Sequence, residues 1–140
     1  MEAAVASSAY IPAGQDDPIS VAKLCYRAYV DKDRPLIERL IADDFHFTSP
    51  LDNRINRNTY FERCWPNSAN SADFNFVHLV QLGERVFVTY EGRDTSGKAF
   101  RNTEILTVRD SKLVDVEVYF GWTLPHAAAA GSFTNEGEQA

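Results

Sequence analysis

Apolar residues recur at helical spacing through the first half of the chain and at every second position through the rest. Asp17-Pro18 supplies a cap and a first-turn proline, and Val21, Leu24, Cys25, Ala28 and Tyr29 form one stripe, which predicts a helix to about Val30. Asp33 can accept from the free N–H groups of a second first turn, where Arg34-Pro35 sit, and Leu36, Ile37, Leu40 and Ile41 predict a helix over about 34–42. Asp43-Asp44 are poor helix formers. Phe45, Phe47 and Ser49 then alternate with His46 and Thr48, a short strand that ends where Pro50 removes the next ladder donor. Asn56 can cap a third helix with the stripe Tyr60, Phe61, Cys64 and Trp65, ended by Pro66 and a polar loop.

From Asp73 the period is two. Phe74, Phe76, His78 and Val80 share one stripe, and Leu82 to Arg85 turns the chain into Val86, Val88 and Tyr90 as a hairpin. The segment 93–98 turns it again into a strand over 100–109, and Asp110-Ser111 is a two-residue link into 113–120. On the last strand Val114, Val116, Val118 and Phe120 form the core stripe and Asp115, Glu117 and Tyr119 the outer one. Helices followed by strands predict an α+β fold, with helices on one face of an antiparallel sheet. Residues 1–16 and 124–140 carry no sustained period and read as tails, leaving one domain over 17–123.

At 140 residues and 15.7 kDa there is room for one domain with a sizeable core. A net charge of −6 argues against a nucleic-acid surface, and Arg54, Arg57 and Arg63 read as a solvated face rather than a phosphate-binding patch. The N-terminal residues carry no Lys or Arg ahead of their small apolar residues, so they do not read as a secretory signal, and no apolar run approaches the roughly 20 residues needed to span a bilayer. Cys25 and Cys64 read as reduced thiols on apolar helix faces. The expectation is a cytoplasmic protein without membrane or nucleic-acid partners.

Chemistry centres on the strand over 100–109. If Phe100, Leu106 and Val108 face the core, Glu104 and Asn102 go in with them, placing a carboxylate in an apolar wall with an amide two residues away. Glu104 is then an acid/base candidate with Asn102 as its polar partner; the alternative is a half-exposed strand charge paired with a neighbouring Arg or Lys. His78 is either a base or a hydrogen-bonded core residue. Tyr60, Cys64 and Trp65 from the third helix, with Tyr90, Phe120 and Trp122 from the sheet, can line a pocket for a flat apolar ligand, Tyr60 and Tyr90 offering hydroxyls. Asp52, Asn53 and Arg54 either gate its mouth or turn the chain. No His/Cys/Asp grouping has metal-ligand spacing, no glycine loop cradles phosphate, and Ser49 lacks the turn of a nucleophile elbow, so no metal or cofactor is expected.

The run DRPLIERLIADDFHFTSP, Asp33 to Pro50, and the closing strand KLVDVEVYFGW, Lys112 to Trp122, together resemble the cone-shaped family of nuclear transport factor 2, ketosteroid isomerases and SnoaL-like polyketide cyclases, over about Ile19 to Trp122. The resemblance implies a curved antiparallel sheet wrapped around three N-terminal helices, a cystatin-like α+β barrel with a pocket. It sets Glu104 at the position of the acid that donates to the oxyanion in ketosteroid isomerases. Ser49 stands where those enzymes keep their proton-shuttling aspartate, and their helix-one tyrosine falls near Cys25. Limonene epoxide hydrolases use an Arg and an Asp two apart on this strand and an Asp on the last one; those places look like Asn102, Glu104 and Val118, so one of the three survives. The implied function is binding of a small hydrophobic molecule with cofactor-free isomerase, cyclase or hydrolase chemistry; the alternative is a non-catalytic ligand-binding or dimerisation module. Phe87, Ile105 and Tyr119, among Thr89, Thr103 and Thr107 on the outer stripes, predict a homodimer through the opposite sheet face.

Overall fold

The computed structural model describes residues 17–131, so the predicted N-terminal tail and residues 132–140 of the C-terminal one lie outside the described residues. Helix α1, Pro18–Asp31, is capped by Asp17, whose carboxylate accepts from the Ser20 N–H at 2.8 Å, and it ends at Lys32 in the left-handed region with φ 56°. Helix α2, Arg34–Leu40, is capped by Asp33 on the Leu36 N–H at 3.1 Å. It stops two residues before the spacing predicts. Ile41 leaves it to open strand β1, Ile41–Ser49, because the β-branched residue gains a ladder partner in Leu113 that helical spacing cannot reveal.

Beyond Pro50 the chain forms strand β2, Asp52–Asn56, which its Asp/Asn-rich sequence disguised as a loop. Polar and five residues long, it suits a sheet edge. Asn56 caps helix α3, Arg57–Arg63, by accepting from the Thr59 N–H at 3.0 Å, and Trp65-Pro66 open a 3₁₀ helix over Trp65–Asn70. Strands β3, Ser71–Leu82, β4, Arg85–Asp94, β5, Ala99–Arg109, and β6, Lys112–Leu124, complete the fold. Asp110 and Ser111 both adopt positive φ, the geometry of the two-residue hairpin predicted for them.

The six strands form one curved sheet in the order β2-β1-β6-β5-β4-β3, with the helices against its concave face. The expected cone-shaped α+β architecture is present, with a correction in detail. The sheet is mixed, since β1 runs parallel to β6 while the other four pairings are antiparallel, and it does not close into a barrel. A hairpin forces antiparallel pairing, but β1 and β6 are separated by the whole middle of the chain, which leaves their direction to tertiary packing.

Three of the sheet's register shifts are single-residue bulges that decide where the predicted site and core residues point. Val77 is the extra residue between Phe76 and His78 on β3, Val114 the extra one on β6 opposite Thr107 and Val108, and Gly121 the extra one on β6 opposite Arg101 and Asn102. Each reverses the alternation beyond it. Hence Leu79 packs against the core while His78 and Val80 are exposed, and Leu113 takes the buried place that strict alternation assigns to Val114. The glycine at the last bulge is sterically required, because a Cβ there would lie 2.2 Å from the Arg101 carbonyl oxygen.

Candidate functional site

Between α1, α3 and the concave sheet face lies a cavity of about 270 Å³, just under the roughly 300 Å³ at which ligand pockets commonly start. Leu51, 74% exposed, and Phe120, 53% exposed, both line it and so mark its mouth. Aromatic and aliphatic side chains from the helices and the sheet form most of the wall. Two carboxylates also line it, Asp52 and Glu104, and among the described residues no Lys, Arg or His does.

Glu104 lies in register with Val88 on β4 and Val118 on β6, so the strand pairing itself embeds the carboxyl in an apolar wall. Its Oε1 accepts from the Tyr26 hydroxyl at 2.9 Å and its Oε2 from the Tyr90 hydroxyl at 2.8 Å. Burial pushes its pKa up, and the hydrogen bonds from Tyr90 and Tyr26 pull it back, with a net position above the ordinary value. Asn102 makes its hydrogen bonds elsewhere than to Glu104. Its amide nitrogen donates to the Tyr90 hydroxyl oxygen at 3.4 Å, and its carbonyl oxygen accepts from the Gly121 N–H at 3.1 Å. Asn102 therefore acts on the carboxyl through Tyr90, and the bulge fixes its orientation.

A second pair of phenols lines the cavity, Tyr29 and Tyr60, with their hydroxyls hydrogen-bonded to each other and either able to donate. Burial drives both pKa values well above the usual phenol range, so both are neutral near pH 7. Cys25 also lines the wall, its thiol pushed up to about 12 by burial and the nearby Glu104. Cys64 is raised to about 11 by burial and Asp52, against the opposing pull of Arg63. Neither thiol is a ready nucleophile.

Of the residues singled out in the sequence, Ser49, Tyr60, Cys64, Tyr90, Asn102, Glu104, Val118 and Phe120 all line the cavity. Three do not. Trp65 is buried behind the wall, its ring edge-on to Tyr29 at 4.9 Å, because α3 ends at Arg63 and the 3₁₀ turn redirects it. His78 is turned outward by the bulge at Val77, and Trp122 by the bulge at Gly121, which sets its ring beside Arg101 and 4.7 Å from His126. Tyr26 was not singled out because it lies off the stripe through Val21, Cys25 and Ala28. The deeply seated α1 buries a wider arc than one stripe, and Ala22, Tyr26 and Tyr29 at i, i+4 and i+7 were the available signal. Asp52, left between gate and turn, is a wall residue.

Several solved structures share this architecture. An LEH-like epoxide hydrolase from M. tuberculosis superposes with a TM-score of 0.64 at 15% identity, over 74% of this chain and 82% of that one. A candidate ketosteroid isomerase from Kribbella flavida gives 0.64 at 11% identity, over 85% and 88%. IdmH from Streptomyces antibioticus, a candidate polyketide cyclase, gives 0.61 at 20% identity, over 74% and 91%. At such identities the likeness is one of fold. No curated protein matches the chain by sequence. The SnoaL-like domain family matches residues 22–116, a span that holds α2, α3, all but the first turn of α1, the carboxyl between its two tyrosines and most of the cavity wall, and the chain belongs to that family.

Proposed function

We propose that this protein binds a small hydrophobic molecule in the cavity and performs cofactor-free acid/base chemistry on it, of an isomerase, cyclase or hydrolase kind. The observation that carries the reading is the Glu104 carboxyl held between two tyrosine hydroxyls in an apolar wall. A carboxyl raised by burial can hold a proton closer to neutral pH than one in water, which suits it to give or take a proton at a carbonyl or hydroxyl of the ligand. Tyr26 and Tyr90 orient it, Asn102 positions Tyr90, and the Tyr29–Tyr60 pair offers a neutral O–H donor to negative charge developing on a ligand oxygen. Ser49, Cys64, Val118 and Phe120 are further proposed ligand contacts. The volume suits a compact polyketide, terpenoid or fragment of a steroid-like skeleton.

Glu104→Gln keeps the shape of the side chain and removes the proton exchange. Turnover of a substrate found by native mass spectrometry should fall by about 10²–10⁴-fold with binding nearly unchanged; full activity in the variant ends the candidacy of Glu104. Ser49 at the place of the shuttling aspartate favours the second reading, a non-catalytic ligand-binding or dimerisation module, and this reading takes over if the ligand is bound but never converted. We also propose a homodimer through the outer sheet face, where Tyr119 is 54% exposed and Phe87 and Ile105 half-buried. Light scattering showing a monomer at tens of micromolar would refute it. Nucleic acid and membranes are not proposed as partners: Arg54, Arg57 and Arg63 are each engaged in separate contacts, and among the described residues no helix is long and apolar enough to cross a membrane.

A further inference from the structure

We propose that Asp52 is a second ligand anchor, its Oδ2 accepting a hydrogen bond from a hydroxyl at the mouth end of a ligand whose other end meets Glu104, so that the cavity selects elongated apolar molecules with a hydroxyl at each end. The inference rests on reading the cavity as the ligand site. Asp52 opens β2, opposite Ser49, and lies next to Leu51 at the mouth. Its side chain is only 9% exposed. A carboxylate that deep must be compensated, and Arg63 compensates one half of it: Nε and Nη2 both donate to Oδ1, at 2.9 and 2.6 Å. Arg63 itself does not line the cavity and is 56% exposed, so its charge is supplied from outside.

The other oxygen is poorly served. Oδ2 has the Ser49 hydroxyl at 3.3 Å and the Cys64 thiol at 4.0 Å, both at the long limit for such donors. A charged oxygen on a cavity wall with two stretched partners favours a stronger donor at normal distance. The spacing sets the ligand's length. Asp52 and Glu104 are separated by three strand steps, β2 to β1 to β6 to β5, about 14 Å along the sheet at about 4.8 Å per step and less across its concave side. A ligand bridging them is elongated and fits between aromatic walls. With two carboxylates and, among the described residues, no cation lining the cavity, an acidic end group finds no counter-charge there.

Three two-ring probes separate the possibilities by isothermal titration of the full chain: 2,6-dihydroxynaphthalene, its mono-ether 6-methoxy-2-naphthol, and 6-hydroxy-2-naphthoic acid. The diol should bind roughly tenfold more tightly than the ether, the worth of one hydrogen bond to a charged acceptor, and the acid more weakly than either. Asp52→Leu should remove the diol's advantage and leave the ether's affinity unchanged. Equal binding of diol and ether by the wild-type protein overturns the inference without needing any variant to fold. So does a diol preference that survives in Asp52→Leu, or an acid that binds as tightly as the diol. If no probe binds, the reading of the cavity as a ligand site falls, and this inference falls with it.

Discussion

Gly121→Ala is the substitution whose cost can be worked most directly. Gly121 does not adopt the left-handed region, so alanine incurs no backbone penalty, and the whole effect is steric. The added Cβ would stand 2.2 Å from the Arg101 carbonyl oxygen, which is backbone in the paired strand β5 and cannot rotate away. Forcing β5 and β6 apart there costs about 1–3 kcal/mol by analogy with overpacking, and stretching the Gly121 N–H bond to Asn102 costs about 1 kcal/mol more. The sum is about 2–4 kcal/mol, which for a domain of this size lowers Tm by roughly 8–16 °C. Thermal unfolding followed by circular dichroism measures it. Gly83→Ala is the control, since φ of +60° strains an alanine there but nothing lies within 4 Å; its cost is about 1–2 kcal/mol. If Gly121→Ala unfolds within 2 °C of the wild type, or falls less than Gly83→Ala, the bulge does not hold the strands as described, and the fixed orientation of Asn102 goes with it.

Glu104 should also make stability depend on pH. Its folded pKa is raised by burial, so between the unfolded and folded values the native state holds more proton than the unfolded chain; the stabilisation is full below the unfolded value of about 4.3 and lost as pH rises through the folded one. Glu104→Gln lacks that loss, so the Tm of the variant relative to wild type should grow as pH rises from about 4 towards neutrality; parallel curves would refute the burial. For the thiols, Cys64 should react with an aromatic disulfide reagent before Cys25 in the folded protein, both at least about two orders of magnitude slower than free cysteine at pH 8. Rapid labelling of Cys25 would show that the wall beside Glu104 opens.

Whatever depends on a few consecutive residues was legible in the chain. Asp17, Asp33 and Asn56 cap the three helices as their side-chain chemistry dictates, and Asp110-Ser111 makes the predicted tight turn. On β5 the alternation from Phe100 to Val108 holds, which is why Glu104 and Asn102 face the cavity as expected. What depends on a partner strand was not legible. Ile41 leaves its helix for a ladder with Leu113, seventy-two residues away in the chain, and β2 exists because β1 offers it an edge. Single-residue bulges reverse His78 and Trp122, and no period-two count can register an insertion that only the neighbouring strand defines. The site divides in the same way: the sequence supplies the carboxyl and its wall, whereas packing α1 against the sheet brings Tyr26 to Glu104 across seventy-eight positions of chain. That contact is a product of three-dimensional closure, which a local pattern cannot encode.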